Sequence, residues 1–201
     1  MLIGMPCKQF DAPSNNSKHG HLVLGEIVGE MAFELGDLEL SGYIPGVVGK
    51  ITEAHGTYYY EHWGFDVTFE TQVGRELSEF LIDFHDRRDG FWVAWVSGAF
   101  AGSVAIDGSD AQGQGARLRW FIVAPQLQGR GIGRALLKNS IEFCRKASHS
   151  RVILWTFEGL DAARCLYEEA GFRLAEEREV RQWGQNIREQ MFELRLPALS
   201  G

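Results

Sequence analysis

Residues 118–137 read LRWFIVAPQLQGRGIGRALL, and the order of their parts decides the fold. The apolar run from Trp120 to Ala124 predicts a buried strand, Pro125 ends it, and Gly129, Gly131 and Gly133 open an amphipathic helix. A strand thus passes through a tight turn into a helix whose first backbone N–H groups lack covering side chains. Such groups close round an anion, and the helix dipole adds roughly half a positive charge there. Gln128, Arg130 and Arg134 flank the turn with donors, and guanidinium forks match phosphate oxygens. The expected guest is a phosphate.

Working outward, the upstream chain is antiparallel in character. Residues 37–44 predict a first strand, 47–62 a helix interrupted by Gly49 and Gly56, and 69–84 a second helix with an apolar stripe at 69, 73, 77, 80, 81 and 84. Each glycine inside a helix costs ~1 kcal/mol against Ala, so a bend or a close approach is expected at Gly49 or Gly56. Residues 91–96 and 99–106 predict a hairpin about Ser97-Gly98, followed by a loop at 107–115. Downstream, Leu136, Leu137, Ile141 and Cys144 face inward from the helix after the turn, and residues 151–155 form a buried strand. A helix over 160–170 stops at Gly171, and closing strands at 172–182 and 188–196 flank a turn at 184–186. The fold class is α/β, or more strictly α+β, with helices on both faces of a mixed, largely antiparallel sheet.

Composition narrows the function classes. At 201 residues and 45% hydrophobic content the chain buries one large core, which we divide as a leader or extension over 1–35 and one domain over 36–196. Within the leader, residues 21–33 suggest a strand pair around Gly25 and Gly29, faintly similar to a segment of flavin-reductase-like proteins, and His19 and His21 read as solvated. The net charge of −7 argues against nucleic acid and mildly favours cationic partners. Cys7, Cys144 and Cys165 have neither metal-ligand nor disulfide spacing, which predicts buried thiols in a reducing compartment and no metal site. No run approaches the ~20 apolar residues of a membrane span and no signal peptide is evident, so the expectation is a cytoplasmic protein without a membrane partner.

Two cofactor classes use such a glycine turn. A dinucleotide site wants a third glycine where Leu136 stands and parallel units upstream, with Glu158 as the ribose acid; a glycine-rich turn with no ligand is the remaining alternative. Gln128-Gly-Arg-Gly131-Ile-Gly133, directly after Val123-Ala-Pro125, resembles the pyrophosphate motif of the GNAT superfamily of acetyl-CoA-dependent N-acetyltransferases. Ala163-Arg-Cys-Leu166-Tyr167-Glu-Glu-Ala-Gly171-Phe172 resembles that superfamily's second signature. More narrowly, His55-Gly56, Tyr59, Gly64, Asp66, Phe69-Glu70, Leu154-Trp155-Thr156, Ala162-Ala163-Arg164, Gln190 and Glu193 resemble the acetyltransferase half of MarR-type regulator and acetyltransferase fusions, over residues 36–196. The superfamily often has Asn where Leu160 stands, so one cofactor contact departs from the pattern.

The resemblance implies a GNAT fold whose sheet splays between its fourth and fifth strands, with direct acetyl transfer from acetyl-CoA to a small-molecule or peptide amine. It implies cofactor contacts from Phe121, Ile122 and Val123 of the strand, and from Gln128, Gly129, Arg130, Gly131, Ile132, Gly133 and Arg134 of the turn. Backbone groups of Phe121 to Val123 would pair with pantetheine, and one N–H there would polarise the thioester carbonyl. An alkylammonium of pKa ~10.4 costs roughly 4.6 kcal/mol to deprotonate at pH 7, so a base or water relay is needed, with Glu61, His62, Glu70 and Glu158 all admissible. Tyr167 matches the superfamily's usual general acid. The patch of Tyr58, Tyr59, Tyr60, His62 and Trp63 suits an acceptor pocket or a helix packed on the sheet equally well. With Glu61 or Glu70 beside it, that patch favours a cationic amine. A non-catalytic CoA-binding sensor or interaction module of the same fold remains open, and a homodimer is compatible with either.

Overall fold

The computed structural model describes residues 38–197; the 1–35 extension, with the strand pair expected there and Cys7, His19 and His21, lies outside the described residues. The chain from residue 38 runs β1 (Leu38–Ser41), α1 (Val47–Trp63), α2 (Val67–Ile82), β2 (Gly90–Val96), β3 (Ala99–Asp107), β4 (Ala116–Val123), α3 (Ile132–Lys146), β5 (Arg151–Phe157), α4 (Asp161–Glu169), β6 (Arg173–Gln182) and β7 (Gln185–Arg195). One seven-stranded sheet takes the order β1-β2-β3-β4-β5-β7-β6. Every neighbouring pair is antiparallel except β4 and β5, which run parallel.

Local chemistry explains the boundaries. Gly64 adopts φ 67° after α1, donating its N–H to Tyr60 while Phe65 donates to Tyr59, so the left-handed residue closes the helix. Two residues on, the Asp66 side chain accepts the Thr68 N–H at 2.9 Å and starts α2. Ser97 and Gly98 both have positive φ, the signature of the two-residue turn that joins β2 to β3. The second hairpin differs from expectation: its turn is Trp183-Gly184, again with positive φ at both residues, so β7 begins at Gln185 instead of 188. The expected turn at 184–186 lies one place too late along the chain, because Asn186 competes as a turn residue.

Both α1 glycines stay within an unbroken helix. Gly56 has the close approach: a Cβ there would meet the Glu70 side chain at 2.9 Å, whereas Gly49 faces open space. The α2 stripe buries Val73, Leu77 and Phe80 against Val47, Ile51, Phe91, Val93 and Trp120, while Phe84 falls outside the helix and is exposed. On the opposite face α3 packs on β2, β3 and β4 through Leu136, Leu137, Ile141 and Cys144. Burial pushes the Cys144 thiol up to about 12, which makes it inert. Cys165 is only half-buried, since α4 turns most of its apolar stripe elsewhere than the core.

Candidate functional site

Three irregularities in the middle of the sheet build the site. Between Ser103 and Ala105 the ladder gives one β3 residue to two on β4, a bulge at Trp120-Phe121. Trp120 takes φ 46°, and the buried Ser103 hydroxyl donates to its carbonyl at 2.7 Å, pinning the kink. Parallel pairing of β4 with β5 covers only Ala116, Arg117 and Leu118 against Val152, Ile153 and Leu154. Beyond Leu118 the strands part, while β5 continues to pair β7 as far as Phe157. The expected splay is therefore present, and it begins beside the bulge.

Immediately past β4, a single 3-10 turn at Pro125–Leu127 leads to Gly129 and Gly131, with φ of 76° and 83°. Gly131 is the N-cap of α3; no side chain caps it, and the helix's first turn holds no acid. The first intrahelical bond recorded at this end runs from Ala135 to Gly131, which leaves the preceding N–H groups open to an anion. A Cβ on Gly133 would sit 3.2 Å from Leu166 and 3.4 Å from Phe121, so glycine keeps α4 and the bulged strand close to the helix start.

A cavity of about 990 Å³ runs from this turn through the splay to the α1 and α2 face. All the expected cofactor residues line it except Arg130. Two carry duties that the sequence does not display. The Gln128 side chain donates to the Val123 carbonyl at 3.2 Å, so that carbonyl is already engaged, and Arg134 pairs with Glu169 at 2.7 Å. Leu160, Ala162, Ala163 and Leu166 turn the half-exposed stripe of α4 into cavity wall. Leu160 also touches the apolar cluster of Phe65, Phe157 and Ile187, so hydrocarbon fills the place of the amide.

Tyr167 is the buried residue of α4, 5% exposed, with Phe121 5.8 Å away ring to ring. Burial, then the neighbouring Tyr59, push its phenol far above the usual value, so it keeps its proton throughout the neutral range. Tyr59 is held the same way by burial and packs with Phe65, Phe69 and Phe157. The tyrosine patch thus divides: Tyr58, Tyr59, His62 and Trp63 line the cavity, and Tyr60 is 69% exposed to solvent. The buried Trp63 indole N–H has no hydrogen-bond partner among the described residues.

Of the admissible bases, only His62 lines the cavity; Glu61, Glu70 and Glu158 stand elsewhere. The acids invoked for a cationic acceptor are thus absent from the wall. In their place come His55, which the narrower resemblance includes without assigning it a role, and residues that the motifs do not mark: Gln72 and Glu76 from α2, Arg117 and Arg119 from β4, and Arg178 and Glu189 from the last hairpin. His55 donates through Nδ1 to the Ile51 carbonyl at 2.8 Å, and burial lowers its pKa to about 4 despite that bond. A carbonyl partner requires the Nδ1–H tautomer, which leaves Nε2 as an acceptor. A signal for the arginines exists in hindsight: β4 has helices on both faces, so charges at 117 and 119 contradict a packed strand.

Residues 50–172 match the family model described as Acetyltransferase (GNAT) family. An uncharacterised N-acetyltransferase of Methanocaldococcus jannaschii is 35% identical over 96 residues, which are 46% of this chain and 41% of that protein. Human N-acetylaspartate synthetase is 36% identical over 118 residues, 58% of this chain and 38% of that protein. The chain thus spans about two fifths of the length of the curated relatives it matches. Among solved structures, a putative acetyltransferase from Salmonella typhimurium with its cofactor acetyl-CoA superposes with a TM-score of 0.62 at 15% identity, covering 82% of this chain and 97% of that one. Among the described residues no group of three or more His, Cys, Asp or Glu is placed to hold a metal, and no helix is long and apolar enough to cross a membrane.

Proposed function

This chain belongs to the acetyltransferase (GNAT) family, and from that membership we propose that it transfers acetyl from acetyl-CoA to an amine acceptor inside the splayed cavity. The observation that carries the reading is the continuity of the cavity: an uncapped helix start with glycines at one end, a buried phenol in the middle and a polar chamber at the other. Residues and group fit each other. Gly129, Gly131 and Gly133 leave backbone N–H donors bare for the pyrophosphate, with Ile132 seating the helix in the core, Gln128 and Arg134 at the rim and Arg130 in the turn between them. The bulged segment Phe121 to Val123 offers backbone groups that β5 does not use. Val123 contributes through its N–H face and side chain, its carbonyl being tied to Gln128.

Acetyl-CoA supplies a thioester carbonyl to which the acceptor nitrogen bonds as the carbon–sulfur bond breaks; nitrogen loses a proton and sulfur gains one. The protein's part is to bring the two together and to move those protons. An N–H of the bulge stabilises the developing negative oxygen. Tyr167 donates toward the departing sulfur; burial weakens it as an acid, but the same dry surroundings raise the proton affinity of a thiolate, keeping the transfer within reach. The base is a cavity group or an ordered water near His55, His62, Glu76 or Glu189.

The domain responsible is taken as residues 36–196, acting in the cytoplasm, with kinship to the acetyltransferase half of MarR-type fusions supported by the His55-Gly56, Leu154-Trp155-Thr156 and Gln190 similarities. A thiol-release assay with acetyl-CoA and a panel of small amines and peptides tests the function. Release that depends on acceptor is expected; CoA binding without acceptor-dependent release from any amine overturns the enzymatic reading.

A further inference from the structure

The charges that line the cavity are unevenly partnered. Arg134 pairs with Glu169, and Arg178 pairs with Glu189 at 2.7 Å while lying over the Trp155 ring. Arg119 is bonded to Glu76 and to Asp107. Arg117, on the same strand and exposed to the same cavity, makes no hydrogen bond or ion pair with a described residue. Glu76, Asp107 and Glu189 attract it, but both oxygens of Glu76 and of Asp107 are engaged by Arg119, Gln72 and Ser109, and Glu189 is paired with Arg178 through Oε2. The remaining cavity acid, Asp161, belongs to the first turn of α4, the helix whose Leu166 approaches Gly133.

A cationic acceptor entering on the α1 and α2 face therefore meets acids already neutralised and a guanidinium of its own sign. A carboxylate meets five donors in a fork with nothing to bond. The place is also right. Arg117 pairs with Ile153, one residue before the last bridge of β4 to β5, so it stands at the closed end of the splay. At ~3.3 Å per residue its Cα lies roughly 13 Å along the strand from Phe121, a span for one arginine stem plus a small acceptor.

We propose that the acceptor is an amino carboxylate, its carboxylate held by Arg117 and its amine directed toward the bulge of β4. This rests on the acetyltransferase reading and narrows its substrate class. Bidentate pairing fixes both the position and the orientation of a small molecule, which is what brings a nitrogen to a carbonyl carbon. An acceptor lacking the carboxylate leaves the guanidinium unsatisfied and forfeits that alignment.

The test uses matched trios, each an amino acid, its primary amide and its decarboxylated amine, assayed by CoA release with wild type, Arg117→Gln and Arg117→Lys, and with acetyl-CoA affinity followed by calorimetry. The expected wild-type preference for the carboxylate is ~10–100-fold in kcat/KM. Arg117→Gln removes it, mainly through acceptor KM, without changing acetyl-CoA affinity, and Arg117→Lys restores part of it. Turnover of amides and amines at or above the rate of the acids in wild type overturns the inference and leaves the acetyltransferase reading standing. So does a preference that survives in a folded Arg117→Gln. Absence of acceptor-dependent release from every trio overturns both.

Discussion

The two ends of the cavity are made of different materials. At the α3 end, binding comes from backbone: bare glycines, an uncapped helix start and a strand whose pairing stops early. At the α1 and α2 end it comes from side chains of two helices and of β4, β6 and β7, held by crossed ion pairs such as Arg119 with Glu76 and Arg178 with Glu189. Backbone geometry is indifferent to pH and to most substitutions that spare the glycines. A side-chain chamber is tunable and titratable. The fold thus keeps one partner fixed and leaves the other to be chosen by a handful of residues.

The largest effect that sharpens this contrast belongs to the junction between the ends. Tyr167→Phe keeps the ring among Phe121, Phe172 and Phe192 and removes only the hydroxyl. A fall of kcat by ~10²–10⁴ with unchanged acetyl-CoA affinity is expected if the phenol protonates sulfur. An unaltered kcat with chemistry rate-limiting makes Tyr167 a packing residue.

Titration should mark the acceptor end. The folded value of His55, about 4, lies below its ordinary 6.5, so the unfolded chain takes up a proton that the folded chain refuses. Its contribution to stability is complete above pH 6.5 and is lost as pH falls toward 4, by ~3 kcal/mol over that window. Urea unfolding of wild type from pH 7 to 4 should show this slope, and His55→Asn should flatten it. Equal slopes in both proteins place the acid lability elsewhere.

The smallest expected effect is at the bulge. Ser103→Ala removes the hydroxyl bonded to the Trp120 carbonyl and should cost ~1 kcal/mol in urea unfolding, because the bonds of β3 to β4 on either side still impose the kink. A loss several times larger would make Ser103 the principal support of the site.

The same contrast explains what was legible in the sequence. The helix stripes, the β2 to β3 hairpin and the glycine turn are local patterns, readable because period and turn chemistry act over a few neighbours. So was the amphipathic α4, though its stripe at Ala162, Ala163 and Leu166 lines the cavity instead of a core. Periodicity reports an apolar face without saying what covers it. The acceptor chamber joins Gln72, Arg117 and Arg178, distant in sequence and individually ordinary, so no spacing identifies them. The tyrosine patch was seen, but its division into Tyr59 packed inside and Tyr60 exposed follows from the orientation of α1 on the sheet.

The claim that the cavity has a backbone-built cofactor end and a side-chain-built acceptor end is tested most directly by calorimetric titration of acetyl-CoA into wild type, Gly133→Asp and Glu76→Gln, each shown to be folded by circular dichroism. Gly133 is inside α3, where an added Cβ would press on the end of the Leu166 side chain at 3.2 Å, and the aspartate also brings a charge against the pyrophosphate. At an effective dielectric of ~20 that repulsion is about 3–4 kcal/mol, and acetyl-CoA affinity should fall by at least ~10²-fold. Glu76→Gln, at the far end beside Arg119, should leave acetyl-CoA affinity within a factor of ~3. Equal affinity in wild type and folded Gly133→Asp, or a loss in Glu76→Gln as large as that in Gly133→Asp, would contradict it.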